Sequence, residues 1–306
     1  MDTSRTIRAV LVQAPPRPIG EPLDGFEREV RTVLEAHPDA QLLAFPELHL
    51  FGADRPDPAE QNGLLREGAV PIDGELLAGL GEIARRAGVA LVPGSVCERD
   101  GSGRLFNTAP CFDRDGRLLG AYRKIFPWRP SEPYDPGSAF TVVELEGVRL
   151  GLSICYDAWF PEHARQLAWL GAEAIVNIVK TTTPDRAQEL VLARANAIAN
   201  QLFVLSVNAA GPLGRGRSIA AGPEGEVLAE SPTAAACTLP VHVEAGRVER
   251  VRREGTAGCT LPWQALREGD PDIPLPLYGG AIRAGRWRPQ RPEAAEAAAA
   301  APRETS

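Results

Sequence analysis

Short, near-continuous apolar runs recur along the chain, and their length is that of buried strands. Because the runs do not alternate cleanly between apolar and polar residues, both faces of each strand should be covered by other parts of the chain. The runs are Ile7–Val12, Gln41–Phe45, Val89–Val96, Val148–Ile154, Ala174–Val179 and Leu202–Val207. Helices are predicted between several of them, at Pro22–Ala36, Asp73–Ala87, Pro161–Leu170 and Pro184–Asn200. The pattern predicts an α/β fold.

Hairpins are predicted in the middle of the chain and near its last third. Asp115-Gly116, Glu146-Gly147 and Pro223-Glu-Gly225 are turn sequences that separate short runs of strand-forming residues. Strands joined partly by helices and partly by hairpins indicate a mixed sheet system with outer helices. Two sheets packed face to face are one such arrangement.

One domain over residues 1–285 is expected, since no shift in composition interrupts residues 5–280. Residues 286–306 differ, because they are rich in Pro, Glu, Arg and Ala and include the alanine run Glu293–Ala301. Such a segment has few apolar partners, so we expect a C-terminal tail that is disordered or a frayed helix.

Composition restricts the partners and the compartment. The net charge of −7 argues against nonspecific binding to nucleic acid, which needs basic patches. No apolar run is long enough to span a membrane, and the N-terminus lacks the basic region and apolar run of a signal peptide. The five cysteines are scattered and never in CxxC spacing, which argues against a disulfide scaffold or a structural zinc site. We therefore expect a cytoplasmic protein.

Cys155 is the cysteine whose surroundings suggest chemistry. It directly follows the predicted strand Val148–Ile154, a position that opens onto the ligand crevice of α/β proteins. A thiol becomes a nucleophile when a nearby cation stabilises the thiolate or a base accepts its proton. The alternative is a buried, inert cysteine, which is a common environment for this residue type.

A histidine is one class of base for such a thiol. A nucleophile elbow has glycine two residues either side of the nucleophile, whereas Ser153 and Asp157 occupy those positions here. This disfavours an elbow with a histidine partner. We expect His163 on the exposed face of a helix, which leaves His49 as the better rival base.

Two acids and a lysine are the other candidates. Glu47 follows the buried strand Gln41–Phe45. An apolar environment at the end of that strand would raise the pKa of its carboxylate toward that of a general base. The alternative is an acid that caps a turn. Lys124 precedes an apolar and aromatic run and would stabilise an oxyanion or lower the thiol pKa, or else protect an edge strand. Glu132, in a proline-flanked loop, would place a carboxylate beside the lysine or a substrate amine, or else is a solvated loop acid.

Taken in order, these segments resemble the nitrilase, or carbon–nitrogen hydrolase, superfamily. The resemblance covers most of residues 7–262, and although any one motif is weak, the ordered set is specific. The motifs are Phe45-Pro-Glu-Leu48, Tyr122-Arg-Lys-Ile125, Gly151-Leu-Ser-Ile-Cys-Tyr-Asp157, the stretch Ala193–Asn208 and the hairpin from Arg217 to Leu228. The resemblance implies a four-layer αββα sandwich, usually dimerised through outer helices.

The resemblance also implies a role for each candidate. Glu47 would be the general base, Lys124 the oxyanion stabiliser and Cys155 the nucleophile. Glu132 would position the substrate and assist proton transfer. No cofactor is implied, and no metal is needed because the lysine supplies the positive charge. The implied partners are a small amide, water and a second copy of the chain, in a homodimer or higher homo-oligomer.

Two segments indicate the branch of the superfamily. Lys124–Gly137 resembles aliphatic amidases and formamidases, and Tyr156-Asp157 is typical of amidases, whereas nitrilases usually carry Trp-Glu there. Trp159-Phe-Pro-Glu162 resembles N-carbamoylputrescine amidohydrolases, so we expect a pocket that does not favour an anionic tail. One departure is Ala199, where family members often carry glutamate, so any supporting salt bridge must differ.

The substrate pocket is expected to be lined by aromatic residues near the candidates, which are alternatively core or interface aromatics. They are Trp128, Tyr134, Tyr156 and Trp159. The expected reaction converts a small linear, neutral or cationic amide into a carboxylic acid and ammonia through a thioester on Cys155. The alternatives are an N-carbamoyl amine amidohydrolase, a nitrilase, an acyltransferase that uses the same cysteine, and a catalytically silent scaffold.

Overall fold

The computed structural model describes residues 5–55, 57–129 and 131–290. In chain order the strands are β1 (Thr6–Gln13), β2 (Leu42–Ala44), β3 (Ala90–Val92), β4 (Val96–Arg99), β5 (Leu105–Phe112), β6 (Leu118–Arg123), β7 (Val142–Leu145), β8 (Val148–Ile154), β9 (Ala174–Val179), β10 (Phe203–Asn208), β11 (Ile219–Ala221), β12 (Val227–Glu230), β13 (Cys237–Glu244), β14 (Ile273–Leu275) and β15 (Gly280–Ile282). The helices are α1 (Leu23–Ala36), α2 (Pro58–Glu67), α3 (Glu75–Ala87), α4 (Pro161–Trp169), α5 (Arg186–Asn200) and α6 (Ala245–Glu254).

Most predicted elements are confirmed, and β8 and β9 coincide with their predicted bounds. The elements that were not predicted include the helices α2 and α6 and the strands β13, β14 and β15. In α2 the buried side chain is Leu65, and α6 is largely charged and buries Ala245, Val248 and Val251. Helices with so narrow an apolar face carry little periodic signal.

One predicted strand, Val89–Val96, is wrong in the middle. The chain leaves β3 after Val92 and re-enters a strand at Val96, in β4. Gly94 lies between them with φ +95°, and a Cβ atom on it would stand 2.2 Å from the carbonyl oxygen of Pro46. Glycine therefore allows this turn to pack directly on the backbone that precedes Glu47.

Two sheets form the centre of the molecule. The first has the order β13-β1-β2-β3-β5-β4 with β6 paired to β5, and β1, β2 and β3 in it run parallel. The second has the order β12-β11-β10-β9-β8-β7, and β8, β9 and β10 in it run parallel. Parallel strands are covered on both faces, which explains their continuous apolar sequences.

Successive residues of a strand enter different layers. In β1, Leu11 packs in the core between the two sheets, together with Leu152 of β8, whereas Val10 packs against the outer helices. Phe26 of α1 and residues of α3 cover the outer face of the first sheet. Leu167 of α4 and residues of α5 cover the outer face of the second. The fold is thus a four-layer αββα sandwich, as predicted.

The start of the predicted C-terminal tail lies against the sandwich. The indole of Trp169 donates a hydrogen bond to the carbonyl of Arg286, and the backbone N–H of Gln290 donates to the carbonyl of Trp169. The rest of that segment, residues 291–306, lies outside the described residues, and the boundary at residue 285 stays a prediction. No helix among the described residues is long and apolar enough to cross a membrane.

Candidate active site

Three candidate residues lie within three positions of a strand end. Glu47 comes after β2, Lys124 after β6 and Cys155 after β8, so residues from both sheets meet at one edge of the sandwich. The backbone N–H of Lys180, just after β9, donates a hydrogen bond of 2.9 Å to Glu47 Oε2 and so joins the two sheets at this edge. The structure therefore places these three candidates near the carboxyl ends of strands.

The Lys124 ammonium is fully buried between two carboxylates. Its Nζ lies 2.7 Å and 2.9 Å from the two carboxylate oxygens of Glu132, and 3.3 Å from Glu47 Oε1. The backbone holds the lysine at both of its polar groups, since its N–H donates to Asn107 O and its carbonyl accepts from Gly137 N, each at 2.8 Å. The side chain is thus fixed from the backbone outward.

The charge state of Lys124 follows from these neighbours. Burial by itself lowers the pKa of Lys124, but the charges of Glu47 and Glu132 outweigh burial and hold that pKa above its ordinary value. The lysine is therefore an ammonium at neutral pH.

Glu47 is buried, and donors hold both of its carboxylate oxygens. Oε1 accepts a hydrogen bond of 2.8 Å from Asn107 Nδ2, and Oε2 accepts the bond from the backbone of Lys180. Asn107 was not among the predicted site residues. Its signal was available, because Asn107-Thr108 is a polar pair inside the otherwise apolar strand β5.

Cys155 begins a 3-10 turn, Cys155–Trp159, with φ +47°. Left-handed backbone is uncommon for a residue with a side chain and is concentrated at functional sites. The inference that Ser153 and Asp157 disfavour an elbow is therefore wrong for the backbone: the chain makes a sharp strand-to-turn junction at the thiol without flanking glycines.

Neither rival histidine is bonded to the cysteine. His49 is buried, and its Nε2 lies 3.2 Å from Glu29 of α1. His163, predicted on the exposed face of a helix, is also buried, with Nε2 2.7 Å from the hydroxyl of Tyr122. The prediction for His163 was wrong because α4 turns this side chain toward the sheet.

Cys155 as a residue is partly buried, and it packs against the core between the two sheets. Burial raises the pKa of Cys155 well above its usual value; Glu47 raises it further, and Lys124 opposes both. At neutral pH the sulfur is consequently protonated, so nucleophilic attack requires a base that takes the proton.

The aromatic candidates occupy different environments. Trp128 is exposed, and its backbone N–H donates to Glu132 Oε2 at 2.8 Å. Tyr134 is buried in a core cluster, and burial raises the pKa of its hydroxyl, which lies beside the Cys97 thiol. Tyr156 and Trp159 are partly exposed, with ring centroids 6.1 Å apart. Contact of these four residues with substrate stays a prediction.

Ala199 stands where family members often carry glutamate. No carboxylate stands at this position of α5, and Arg165 instead donates a hydrogen bond of 2.8 Å to the carbonyl oxygen of Ala199. The guanidinium of Arg165 also lies 4.6 Å from the ring centroid of Trp263. The expectation that any supporting salt bridge differs from that of family members stays a prediction.

Comparisons with known proteins identify the family of this chain. The carbon–nitrogen hydrolase family model matches residues 8–253. A Pseudomonas protegens protein named "Hydrolase in pqqF 5′ region" is 35% identical over 74% of this chain and 79% of its own length. An (R)-stereoselective amidase of a Pseudomonas species is 35% identical over 69% of this chain and 76% of its own.

Solved structures have a similar fold. A variant of the amidase from Nesterenkonia sp. AN1, which carries the acetamide moiety of fluoroacetamide covalently on its active-site cysteine, matches with a TM-score of 0.69. The match has 28% identity and covers 83% of this chain and 95% of that one. This chain, with its sandwich and its ordered motifs, belongs to the carbon–nitrogen hydrolase family, on the amidase-type branch of the nitrilase superfamily, whose members act on carbon–nitrogen bonds other than peptide bonds.

Proposed function

We propose that this protein hydrolyses small linear, neutral or cationic amides to a carboxylic acid and ammonia through an acyl-thioester on Cys155. The observation that carries the proposal is the buried Lys124 ammonium, held within hydrogen-bonding distance of both Glu47 and Glu132. This arrangement supplies a fixed positive charge and a carboxylate base beside a thiol that is protonated at rest.

The first half-reaction begins at the thiol. Glu47 accepts the proton as the sulfur attacks the amide carbon, and Glu47 is the carboxylate whose charge acts most strongly on the thiol pKa. The oxyanion is stabilised by the Lys124 ammonium and by the backbone N–H of Tyr156, because the first N–H groups of a helical turn have no partner within the turn. Glu47 then gives the proton to the leaving nitrogen, the C–N bond breaks, and ammonia departs.

The second half-reaction releases the acid. Water loses a proton to Glu47 and attacks the thioester carbon, the C–S bond breaks, and Cys155 regains its proton from Glu47. One amide and one water thus yield one acid and one ammonia. Glu132 holds the ammonium with both oxygens throughout, and is in turn held by the backbone N–H of Trp128.

The charge near the site supports a neutral or cationic tail on the substrate. Lys180, whose backbone holds Glu47, has its own ammonium 2.8 Å from Asp54. The Lys180 ammonium is therefore already paired with Asp54 and is not available to bind a substrate carboxylate. Trp159, in the segment that resembles N-carbamoylputrescine amidohydrolases, adds no charge.

A homo-oligomer is part of the same proposal. Helix α5 lies in an outer layer and exposes Val191 at 66% and Ile198 at 44% of their surface. These residues are seven positions apart, so they lie on one face of the helix. A second copy of the chain would cover this face. The cytoplasmic compartment stays a prediction from the cysteine pattern.

The test is a substrate panel that separates the remaining alternatives by their products. Short aliphatic amides, amino-amides, carboxy-amides, N-carbamoyl amines and nitriles are assayed for ammonia, acid and carbon dioxide, with hydroxylamine as an acceptor for acyl transfer. We expect ammonia and acid from aliphatic and amino-amides, and a peptide containing Cys155 that carries the acyl mass. Carbon dioxide would identify an N-carbamoyl substrate instead.

The matched variants are Cys155→Ala and Cys259→Ala, since Cys259 is an exposed cysteine far along the chain. We expect Cys155→Ala to abolish hydrolysis and Cys259→Ala to leave it unchanged. A Cys155→Ala protein with near-wild-type turnover would show that the thioester scheme is wrong.

A further inference from the structure

Asp157 is a fully buried acid that the proposed reaction does not use. It lies two residues after the nucleophile, and both of its oxygens accept hydrogen bonds. Oδ2 accepts from the backbone N–H of Ile154 at 2.9 Å and from the hydroxyl of Tyr122 at 2.8 Å. Oδ1 accepts from the backbone N–H of Phe126 at 3.0 Å. Three donors thus surround one carboxylate.

The hydrogen bonds around Tyr122 fit one arrangement of protons. The hydroxyl has a single proton and lies near Asp157, near His163 Nε2 at 2.7 Å, and near the backbone N–H of Ile125 at 3.1 Å. If the hydroxyl donates to Asp157, its oxygen accepts from Ile125 and from an Nε2–H on His163. Burial lowers the pKa of His163, so this histidine is neutral and has one N–H to donate.

These donors stand on both sides of the candidate oxyanion lysine. Tyr122 precedes Lys124 by two residues, and Phe126 follows it by two. Ile154, the third donor, immediately precedes Cys155. A single carboxylate therefore joins the segment of the first sheet that carries the ammonium to the segment of the second sheet that carries the thiol.

We propose that Asp157 is the positioning residue that sets the Cys155 thiol relative to the Lys124 ammonium. The inference rests on the proposed function, because it assigns these two groups to nucleophile and oxyanion stabiliser. The left-handed backbone of Cys155 is a strained conformation that persists when its surroundings hold it in place. The Asp157 carboxylate provides that hold through the residue before the cysteine.

Asparagine is the informative replacement, since it has nearly the same shape but only one acceptor oxygen. Its NH₂ group would face either the backbone N–H of Phe126 or the pair formed by Ile154 N–H and the Tyr122 hydroxyl. The hydrogen bonding on that side of the side chain is therefore lost. The matched control is Glu173→Gln. Glu173 is also buried and also accepts a backbone N–H, from Arg149 at 2.9 Å, but it precedes β9 at the end of the strand opposite the site.

The experiment measures kcat and KM on the best amide of the panel, per folded protein as judged by circular dichroism. We expect Asp157→Asn to lower kcat about 100-fold with KM within about threefold, the loss that a small displacement of reacting groups produces. Glu173→Gln should lower the melting temperature but leave kcat within about threefold. A folded Asp157→Asn protein whose kcat stays within threefold of wild type would overturn the proposal.

A second readout does not depend on amide hydrolysis. Cys155 is labelled with a haloacetamide and, separately, with methyl methanethiosulfonate, and each rate is read from the mass of the Cys155 peptide. We expect Asp157→Asn to slow haloacetamide labelling more than tenfold and to leave the rate of labelling by methyl methanethiosulfonate nearly unchanged. If the wild type cleaves no amide but Asp157→Asn changes the two labelling rates in this way, the positioning role stands and the proposed function fails. If Asp157→Asn slows labelling by both reagents equally, the positioning role is overturned.

Tyr122→Phe covers the case in which Asp157→Asn does not fold. It removes one donor to Asp157 and the acceptor for Ile125. It leaves in place the hydrogen bonds that the backbone N–H groups of Ile154 and Phe126 donate to Asp157. We expect about a tenfold loss of kcat at nearly constant KM. A Tyr122→Phe protein with wild-type kcat and wild-type haloacetamide labelling would count against the proposal.

Discussion

Glu47 Oε2 accepts a 2.9 Å hydrogen bond from the backbone N–H of Lys180, and the two residues are 133 positions apart in the chain. Glu47 follows a strand of the first sheet, whereas Lys180 follows a strand of the second. The candidate base is thus held across the seam between the sheets. Its position depends on how the sandwich packs and not on the local chain alone.

Glu47→Gln should remove the base while keeping most of the packing. We expect kcat to fall about 10²–10⁴-fold, the range for loss of general acid–base catalysis, with a small change in KM. Steady-state ammonia release measures the loss. Glu144→Gln, which replaces an exposed acid on β7, is the control and should have wild-type kinetics. Turnover of Glu47→Gln within tenfold of wild type would assign the base to another residue.

Lys124→Met should affect stability as well as turnover. The variant leaves the carboxylates of Glu47 and Glu132 in a largely buried site without their shared cation. Breaking a buried charge pair from one side costs about 3–5 kcal/mol of unfolding free energy. Urea denaturation measures this loss. Adding Glu132→Gln should recover part of it, and a double variant less stable than Lys124→Met would contradict the electrostatic explanation.

Two buried thiols predict a loss of stability at alkaline pH. Burial raises the pKa of Cys111 to about 12 and that of Cys97 to about 11 from an ordinary value of 9.0. Above pH 9 the unfolded chain releases these protons while the folded chain keeps them, so stability falls as pH rises toward the folded pKa. At pH 10 the loss is about 1.4 kcal/mol for each thiol.

Urea denaturation at pH 8 and pH 10 tests this prediction. Cys111→Ala will be less stable than wild type at both pH values, because it leaves a small cavity. Its additional loss between pH 8 and pH 10 should nevertheless be smaller, by about 1.4 kcal/mol. An equal pH dependence in wild type and Cys111→Ala would show that this thiol does not contribute.

Gly94→Ala should disturb the site through the backbone. A Cβ atom would stand 2.2 Å from Pro46 O at a residue whose φ is +95°. Pro46 must move, and Glu47 with it, so we expect a loss of about 1–3 kcal/mol in stability together with lower kcat. Gly63→Ala in α2 is the contrast, since nothing lies within 4 Å of its Cβ position and its φ is helical, and it should stabilise by about 0.5–1 kcal/mol.

The apolar runs were enough to predict the parallel strands, because a strand that is buried on both faces has apolar residues at consecutive positions. The ordered motifs were enough to select Glu47, Lys124, Glu132 and Cys155 as candidates. Helices α2 and α6 bury few residues, so their sequences show no clear apolar pattern, and they were not predicted. So was the break at Gly94, where a contact with a distant backbone rather than local periodicity ends the strand.

The sequence by itself determined which residue types stand at the ends of the strands. The tertiary structure alone decided their partners: Asn107 and Lys180 on Glu47, Glu132 on Lys124, and Asp157 between the two segments. It also buried His163 and gave Cys155 its left-handed backbone. The reason is physical, since periodicity reports what one residue does relative to its neighbours, whereas hydrogen bonds in the site join residues that only the packing of two sheets brings within reach.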